Sequence, residues 1–424
     1  MKIKTLAGLA IYFWASASVH AQSSPNVSPP VSGGSSVLPG LPVSRSVTMS
    51  NDDASPLPLA NCLDNRCSGT GAGWVQTEYL LWWLRGDSLP ALVTQGTGTS
   101  TGKLGQPGTQ VLFGDSDANG NARSGGQVTA GWWFDPSQCC GVQASYFMLG
   151  GVASRYAGGS SGNPILARPF YNTLTGAPDA EAIAFPGSIA GNVAAASQSG
   201  SLLGAELLLR CNLCSGCWGT ANYRLDGLAG YRFLYLNESV SVQENLTTTG
   251  NTNGVPLGTT IGVGDSFGAS NQFHGGEVGL AALLTRGPWS LSLTGKLGLG
   301  LTQEYVNING STTVTAPGTT PVTMPGGLLA LATNIGGHTS NVFSVVPESD
   351  FTVGYQISKN WSLTAGYTFL YWSNVVRPGS EIDTHVNPNL IPPVVPGGDA
   401  HPAFSFNRSG LWAQGVSLGL LFQF

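Results

Sequence analysis

The sequence predicts an all-β protein, a closed antiparallel transmembrane β-barrel of about 10–14 strands with short periplasmic turns and long extracellular loops. Three observations lead to this prediction: a hydrophobic period of two, connections that alternate between short and long, and a shortage of charge. Only 9% of the 424 residues are charged, whereas a soluble protein carries about 25%. Every second side chain of a membrane-spanning strand faces lipid, where ionised groups are costly, so the shortage of charge fits the prediction.

The start of the chain has the features of a secretory signal peptide. Two lysines precede an apolar run that ends at Trp14, and the small-x-small triplet VHA ends at Ala21. This order is typical of export signals, so we expect residues 1–21 to be removed. A buried helix of the mature domain is the weaker alternative, because the residues that follow show no amphipathic period. Residues 22–73 are rich in Pro, Ser and Gly, which predicts a periplasmic leader.

A strict hydrophobic period of two marks the strands. Between 289 and 301, odd positions carry Trp, Leu or Gly, and even positions carry Ser, Thr, Lys or Gly. Segment 412–424 repeats the alternation. Successive side chains of a strand point to opposite faces, so each segment has one apolar face. Similar patterns predict roughly ten strands, at 74–84, 124–134, 142–152, 201–211, 221–236, 273–285, 289–301, 344–357, 361–373 and 412–424.

The connections between these strands alternate in length without exception. Short ones lie at 135–141, 212–220, 286–288 and 358–360, and long ones at 85–123, 153–200, 237–272, 302–343 and 374–411. Outer-membrane barrels have this arrangement, whereas a soluble β-sandwich, the alternative, has no reason to put every long loop at one end. Lipid requires all backbone polar groups to be paired, so we expect residues 74–424 to close into a barrel. Further strands inside the long loops, most readily within 302–322, would widen it.

Aromatic residues support the membrane prediction. Tryptophans cluster at predicted strand ends, as in the aromatic girdles of barrels. Phe424 ends the sequence and Phe422 lies two residues before it, an ending like the assembly signal of many outer-membrane barrels. We therefore expect the protein in the outer membrane of a Gram-negative-type envelope, reached through the signal peptide.

Five segments also resemble a known family. They are WVQTEYLLWWLRGDSLPALVT from Trp74, GKLGQPGTQVLFGD from Gly102, LARPFYN from Leu166, DSFGASNQFHGGEVG from Asp265 and FSVVPESDFTVGYQISKNWSLTAGYTFLYWSNVVRPGSEID from Phe343. In these segments the chain is similar to the beta-barrel porin family numbered seven, with Gly268 where a threonine is common. The resemblance covers about 74–383. It implies an exported outer-membrane barrel of uncertain cargo and supplies no catalytic or binding residues.

The strand period also predicts which charged side chains face the lumen. They are Glu78, Glu206, Arg210, Arg224, Asp226, Arg232, Glu277 and Lys296. These acids and bases either pair and fill a narrow interior, because small barrels have little free space, or set the selectivity of a wetted channel. We expect a porin that allows passive diffusion of small solutes, whose identity the sequence does not disclose. A plugged barrel acting as an envelope scaffold or surface adhesin is the alternative.

Seven cysteines fall in the predicted leader or the short turns: Cys62, Cys67, Cys139, Cys140, Cys211, Cys214 and Cys217. An oxidising compartment favours disulfides, with pairings left open and at least one thiol left over. That thiol offers a link between two subunits. Metal binding by the Cys-x2-Cys-x2-Cys run is the weaker alternative, because it has no nearby His and no second matching knuckle.

Other classes of protein fit the sequence less well. A net charge of −5 without a basic cluster excludes a nucleic-acid binder, and no mature segment approaches the run of about 20 apolar residues that a membrane helix needs. We expect neither catalysis nor a cofactor nor a metal. A hydrolase at the barrel rim is a remote alternative, with His274 near Asp265 and Glu277, Asp383 near His385, and Asp399 near His401 as candidate pairs. The expected partners are outer-membrane lipids, the barrel-assembly machinery and a second copy of the chain.

Overall fold

The computed structural model describes residues 72–250 and 255–424, so the predicted signal peptide and nearly all of the predicted leader lie outside the described residues. Within them the chain forms twenty strands and two short 3-10 helices, Pro378–Glu381 and Pro388–Leu390. The strands are β1 Gly73–Leu84, β2 Asp87–Leu89, β3 Val93–Gly96, β4 Gln110–Phe113, β5 Ser116–Ala118, β6 Arg123–Trp133, β7 Cys140–Leu149, β8 Val152–Ser160, β9 Ile165–Asn172, β10 Ala177–Ala184, β11 Ile189–Ser199, β12 Leu202–Trp218, β13 Ala221–Thr248, β14 Thr260–Arg286, β15 Trp289–Thr315, β16 Val322–Pro325, β17 Gly336–Gln356, β18 Trp361–Val376, β19 His385–Val386 and β20 Arg408–Gln423. No helix among these residues is long and apolar enough to cross a bilayer.

Ten of these strands close into a ring. Each pairs antiparallel with two neighbours in the order β1, β6, β7, β12, β13, β14, β15, β17, β18 and β20, and β20 pairs with β1. Closure leaves the ring without an unpaired edge, as a lipid environment requires. The all-β fold class is confirmed, and all ten predicted strands lie in the ring.

The two ends of the ring differ. At one end, here called the short-turn end, the connections are 134–139, 219–220, 287–288 and 357–360. At the opposite, long-loop end, β13, β14, β15 and β17 run for 21 to 28 residues and extend into segments that the sequence predicts as loops. Segment 302–322 does not widen the ring, because most of it continues β15 and β16 only forms a hairpin on that extension.

The long connections fold over the long-loop end. β10, β9, β3 and β4 form a second sheet, with β19 parallel to β9, and β2 pairs with β5. Apolar side chains of these elements and of the fully buried segment Leu328–Leu331 pack on the inward faces of β13, β14 and β15, where they meet Val240, Phe267 and Val306. Together these elements form a packed layer over the long-loop end of the barrel, here called the outer layer.

Candidate functional site: the barrel interior

Side chains alternate between the two faces of the ring. In β20, Val416, Leu418 and Leu420 are exposed on the outside, whereas Ala413 and Ser417 are buried inside. The outward side chains of the ring form an apolar band, and the inward ones meet across the interior. The geometry of the interior therefore decides what can pass through.

A network of five charged side chains, here called the central ion cluster, crosses the middle of the ring. Lys296 Nζ lies 2.6 Å from both Glu206 Oε2 and Glu348 Oε1. Arg232 Nη1 donates to Glu277 Oε1 at 2.7 Å, and Arg232 Nη2 donates to Glu348. All five are at most a tenth exposed. Three carboxylates thus share two cations, and the pair between β13 and β17 links strands that are not neighbours.

A second group of charges, here called the mouth cluster, lies near the short-turn end. Arg210 Nε and Arg224 Nε each donate to Asp226 at 2.7 Å. The Arg224 guanidinium stacks 4.4 Å from the ring centroid of Trp133, and Arg210 lies 5.6 Å from Trp74. These contacts satisfy the charges and leave one positive charge in excess.

The opposite wall of the interior is acidic. Glu78 accepts a hydrogen bond of 2.9 Å from Ser417 Oγ, and Asp350 accepts from Thr352 and Thr368 at 2.9 and 2.8 Å. All eight charged residues predicted to face the lumen therefore lie in the interior of the ring. Sequence reasoning missed Glu348 and Asp350, although their spacing of two on β17 puts both on the parity opposite exposed Phe351.

A cavity of about 990 Å³ extends from the short-turn end to the central ion cluster. Trp74, Trp133 and Arg210 line one side, and Glu78 and Asp350 line another. The cavity ends where Lys296 and Glu348 meet. It is therefore a polar vestibule whose deepest described wall is an ion network.

Beyond the ion cluster, toward the long loops, lies an apolar layer contributed by eight of the ten ring strands. Its members are Leu80, Trp82, Leu84, Phe147, Leu149, Leu202, Leu234, Leu236, Phe273, Val346, Leu370, Trp372, Val375, Leu411 and Ala413. Trp82 and Phe147 rings lie 5.5 Å apart, and Trp372 packs edge-on to Phe273 at 6.3 Å. Trp372 Nε1 donates to Thr302 Oγ1 at 2.9 Å, so its polar atom is satisfied. Side chains of this size fill the section of the ring.

Buried ion pairs attach the outer layer to the barrel. Arg377 donates to both carboxylate oxygens of Glu238 at 2.7 Å, and to the carbonyls of Arg85 and Gly86. Arg168 on β9 donates to Asp265 on β14, and the Asp265 carboxylate also accepts from backbone N–H groups of the buried segment that begins at Leu328. The contacts with Glu238 and Asp265 join long connections to ring strands, and the contacts of Arg377 with Arg85 and Gly86 join two long connections to each other.

The family assignment rests on a match that covers the whole barrel. The family model described as Putative beta barrel porin-7 matches residues 74–424. The chain belongs to this family. Together with the closed antiparallel ring, this membership gives the porin-7 chain an outer-membrane β-barrel fold.

Solved structures give weaker similarities. The outer membrane protease OmpT from Escherichia coli is 11% identical, with 83% of this chain and 97% of that one covered and a TM-score of 0.39. A Pseudomonas aeruginosa FadL homologue is 8% identical over 86% and 94%, with a TM-score of 0.23. The Ralstonia pickettii toluene transporter TbuX is 10% identical over 86% and 93%, with a TM-score of 0.15. At such TM-scores these similarities assign no function, and no curated protein matches the chain.

The five described cysteines of the porin-7 chain lie at the short-turn end. Cys140 and Cys211 form a disulfide between β7 and β12, with Cα atoms 4.2 Å apart. Cys139 and Cys214 are also disulfide-bonded, and Cys217 is a free, exposed thiol. The three cysteines predicted around the turn after 211 in fact lie within β12, because that strand extends to Trp218. Cys62 and Cys67 lie outside the described residues.

Of the three predicted groupings of histidine and carboxylate, all within the described residues, the structure contains only the contact between Asp383 and His385. His274 Nδ1 lies 2.6 Å from Tyr231 Oη, whereas Asp265 pairs with Arg168 and Glu277 with Arg232. Asp383 contacts His385 as predicted, but it also contacts His401, and Asp399 instead accepts from Thr173.

The predicted assembly signal has aromatic neighbours. The rings of Phe422 and Trp361 lie 4.8 Å apart, and those of Phe424 and Trp132 lie 6.0 Å apart. Recognition of this end during assembly stays a prediction.

Proposed function

We propose that this protein is a closed outer-membrane barrel that holds its outer layer at the cell surface as a scaffold or adhesin. The observation that carries the proposal is the nearly complete burial of the side chains in the apolar layer. Trp82 is 1% exposed, and Phe273 and Trp372 are fully buried, although all three point into the ring. Side chains that line a water-filled lumen are exposed to that water, so this section of the barrel excludes solutes.

The central ion cluster supports the same proposal. Arg232 reaches from β13 to Glu348 on β17, so the network spans the interior rather than lining it. A ring of ten strands has little room beyond its own side chains. Ion pairs and aromatic rings therefore occupy successive sections of the same narrow interior.

Passive diffusion of small solutes is the second candidate. The vestibule of about 990 Å³ favours it, because this polar space already extends from the short-turn end to the central ion cluster. A solute would still have to displace the apolar layer and pass the outer layer. We infer that a channel function requires a second conformation, with the mouth cluster and the acidic wall acting on the charge of the solute.

The surroundings of the barrel belong to the same proposal. We expect outer-membrane lipids against the exposed apolar band, delivery through the signal peptide, and assembly from the end that carries Phe424. A second copy of the chain remains an expected partner. The proposal gives the chain no catalytic role.

Planar-bilayer conductance of the purified chain tests the proposal. Trp82 and Trp83 are adjacent in β1 but face opposite ways, the first buried in the apolar layer and the second 39% exposed. We expect no discrete openings from the wild type or from Trp83→Ala, and a higher leak from a Trp82→Ala/Trp372→Ala double variant, in which only the central ion cluster and the outer layer still obstruct the interior. Discrete wild-type openings would instead establish the channel and contradict the closed barrel.

A further inference from the structure

Two histidines share one carboxylate at the long-loop end, away from the barrel interior. His385 Nδ1 lies 3.1 Å from Asp383 Oδ1, and His401 Nδ1 lies 2.8 Å from Asp383 Oδ2. The two imidazole rings have centroids 5.8 Å apart. Segment 385–401 therefore begins and ends with a histidine, and Asp383 contacts both of them.

Asp383 acts as an acceptor in this arrangement. It also accepts from the backbone N–H groups of His385 and Ala403, at 2.9 and 2.8 Å. Both imidazoles present Nδ1 to this acceptor, so the hydrogen-bonded tautomer is the one in which each Nδ1 carries the proton.

That tautomer leaves the Nε2 lone pair of each ring free. The side chains of His385 and His401 are 55% and 41% exposed, and the described part of the chain gives neither Nε2 a hydrogen-bond partner. A histidine whose Nδ1–H is fixed by a carboxylate is the common arrangement of a metal ligand, because the carboxylate orients the ring and makes Nε2 more basic.

We propose that Nε2 of His385 and Nε2 of His401 bind one divalent transition-metal ion of the zinc type, with Asp383 as the positioning residue. Zn–N bonds are about 2.0–2.1 Å long, so two imidazoles on one ion have ring centroids up to roughly 6 Å apart, which fits the separation here. No group of three or more His, Cys, Asp or Glu side chains among the described residues could hold a metal. The ion therefore has two protein ligands and completes its coordination with water.

Binding of the ion would link the two ends of segment 385–401. Val394 and Val395 in this segment are 60% and 56% exposed, and its base is held by Asn387, whose side chain donates to the carbonyls of Gly397 and Asp399. A metal bridge from His385 to His401 adds a second closure at the same base. We expect zinc to slow proteolysis of the segment.

Zinc itself is the probe, and the full folded chain in detergent is the sample, with Cys217→Ser as background to remove the free thiol of the described residues. Calorimetry is expected to find one zinc per chain. His385→Gln and His401→Gln should each weaken binding at least tenfold, and Asp383→Asn by about 10–100-fold, the usual effect of losing an orienting partner. His274→Gln is the matched control, because that histidine lies on the barrel wall beside Tyr231.

Two results would overturn the proposal: zinc affinity equal in the wild type and the His385 and His401 variants, or an equal loss in His274→Gln. Retained heat-modifiable mobility on gels shows that each variant is folded. Protease cleavage near Val394 gives an independent readout, which zinc should slow and calcium, a cation that prefers oxygen ligands, should not. The test does not depend on whether the barrel conducts.

Discussion

At the scale of single residues, facing could be read from the sequence but partners could not. The period of two predicts that Glu206, Arg232 and Lys296 each face the lumen from a different strand. In the structure all three are buried in one cluster. Glu348 completes that cluster from β17. Its contact with Arg232 arises from curvature of the ring, which brings together residues 116 positions apart.

Glycine positions follow the same facing rule and give a residue-scale prediction. A Cβ on Gly415 would lie 2.3 Å from the carbonyl oxygen of Leu81 and 2.5 Å from Trp82, whereas a Cβ on Gly295 would meet nothing within 4 Å. We expect Gly415→Ala to lower the free energy of unfolding by about 1–3 kcal/mol, because backbone atoms would have to move. Gly295→Ala should change it by less than about 0.5 kcal/mol. Denaturant unfolding followed by tryptophan fluorescence measures both, and equal effects would contradict the packing described.

At the scale of elements, strand ends were harder to predict than strand centres. In β13, Tyr231 is an exposed outward aromatic, but farther along the outward positions are polar, as at Ser239 and Ser241, while Val240 and Val242 are buried inward. The apolar outward face therefore stops where the strand leaves the lipid. The sequence prediction ended there too, because it relied on that face, although the strand continues to Thr248.

The disulfide between β7 and β12 gives a prediction at this scale. It joins two adjacent ring strands across 71 residues of sequence, so it limits the unfolded chain strongly. Cys139 and Cys214 are also disulfide-bonded, so all four cysteines have to be replaced to remove this constraint. The loop-entropy model gives a loss of up to about 4 kcal/mol in the free energy of unfolding when Cys139, Cys140, Cys211 and Cys214 are all replaced by Ser. Cys217→Ser, which removes an exposed free thiol, should leave the midpoint unchanged. A fourfold variant with the wild-type denaturation midpoint would show that cross-linking at this end does not stabilise the barrel.

At the scale of the whole molecule, closure brings distant charges together. Arg232 is the cation that contacts Glu206, Glu277 and Glu348, from three other strands of the ring. The central ion cluster therefore connects the walls of the barrel.

Removing this cation should destabilise the entire barrel. Arg232→Met leaves buried carboxylates without their partner, so we expect a loss of about 3–5 kcal/mol in the free energy of unfolding. Arg286→Met, at the exposed end of β14, should change it by less than about 0.5 kcal/mol. Adding Glu277→Gln to Arg232→Met should recover part of the loss, because one unpaired charge disappears. Additive effects of the two substitutions would show that the residues do not interact.

The sequence by itself determined the membrane barrel. A barrel of roughly ten or more strands and the inward facing of the charged residues follow from a local rule, the alternation of successive residues, and from the lengths of the connections. Only the tertiary structure shows which side chains occupy the interior. Trp82, Phe273 and Trp372 read as ordinary strand residues, yet they fill one section of the ring because closure aims them at the same axis. The same holds for Asp383 and His401, 18 residues apart, which meet only because a long connection folds back over the barrel.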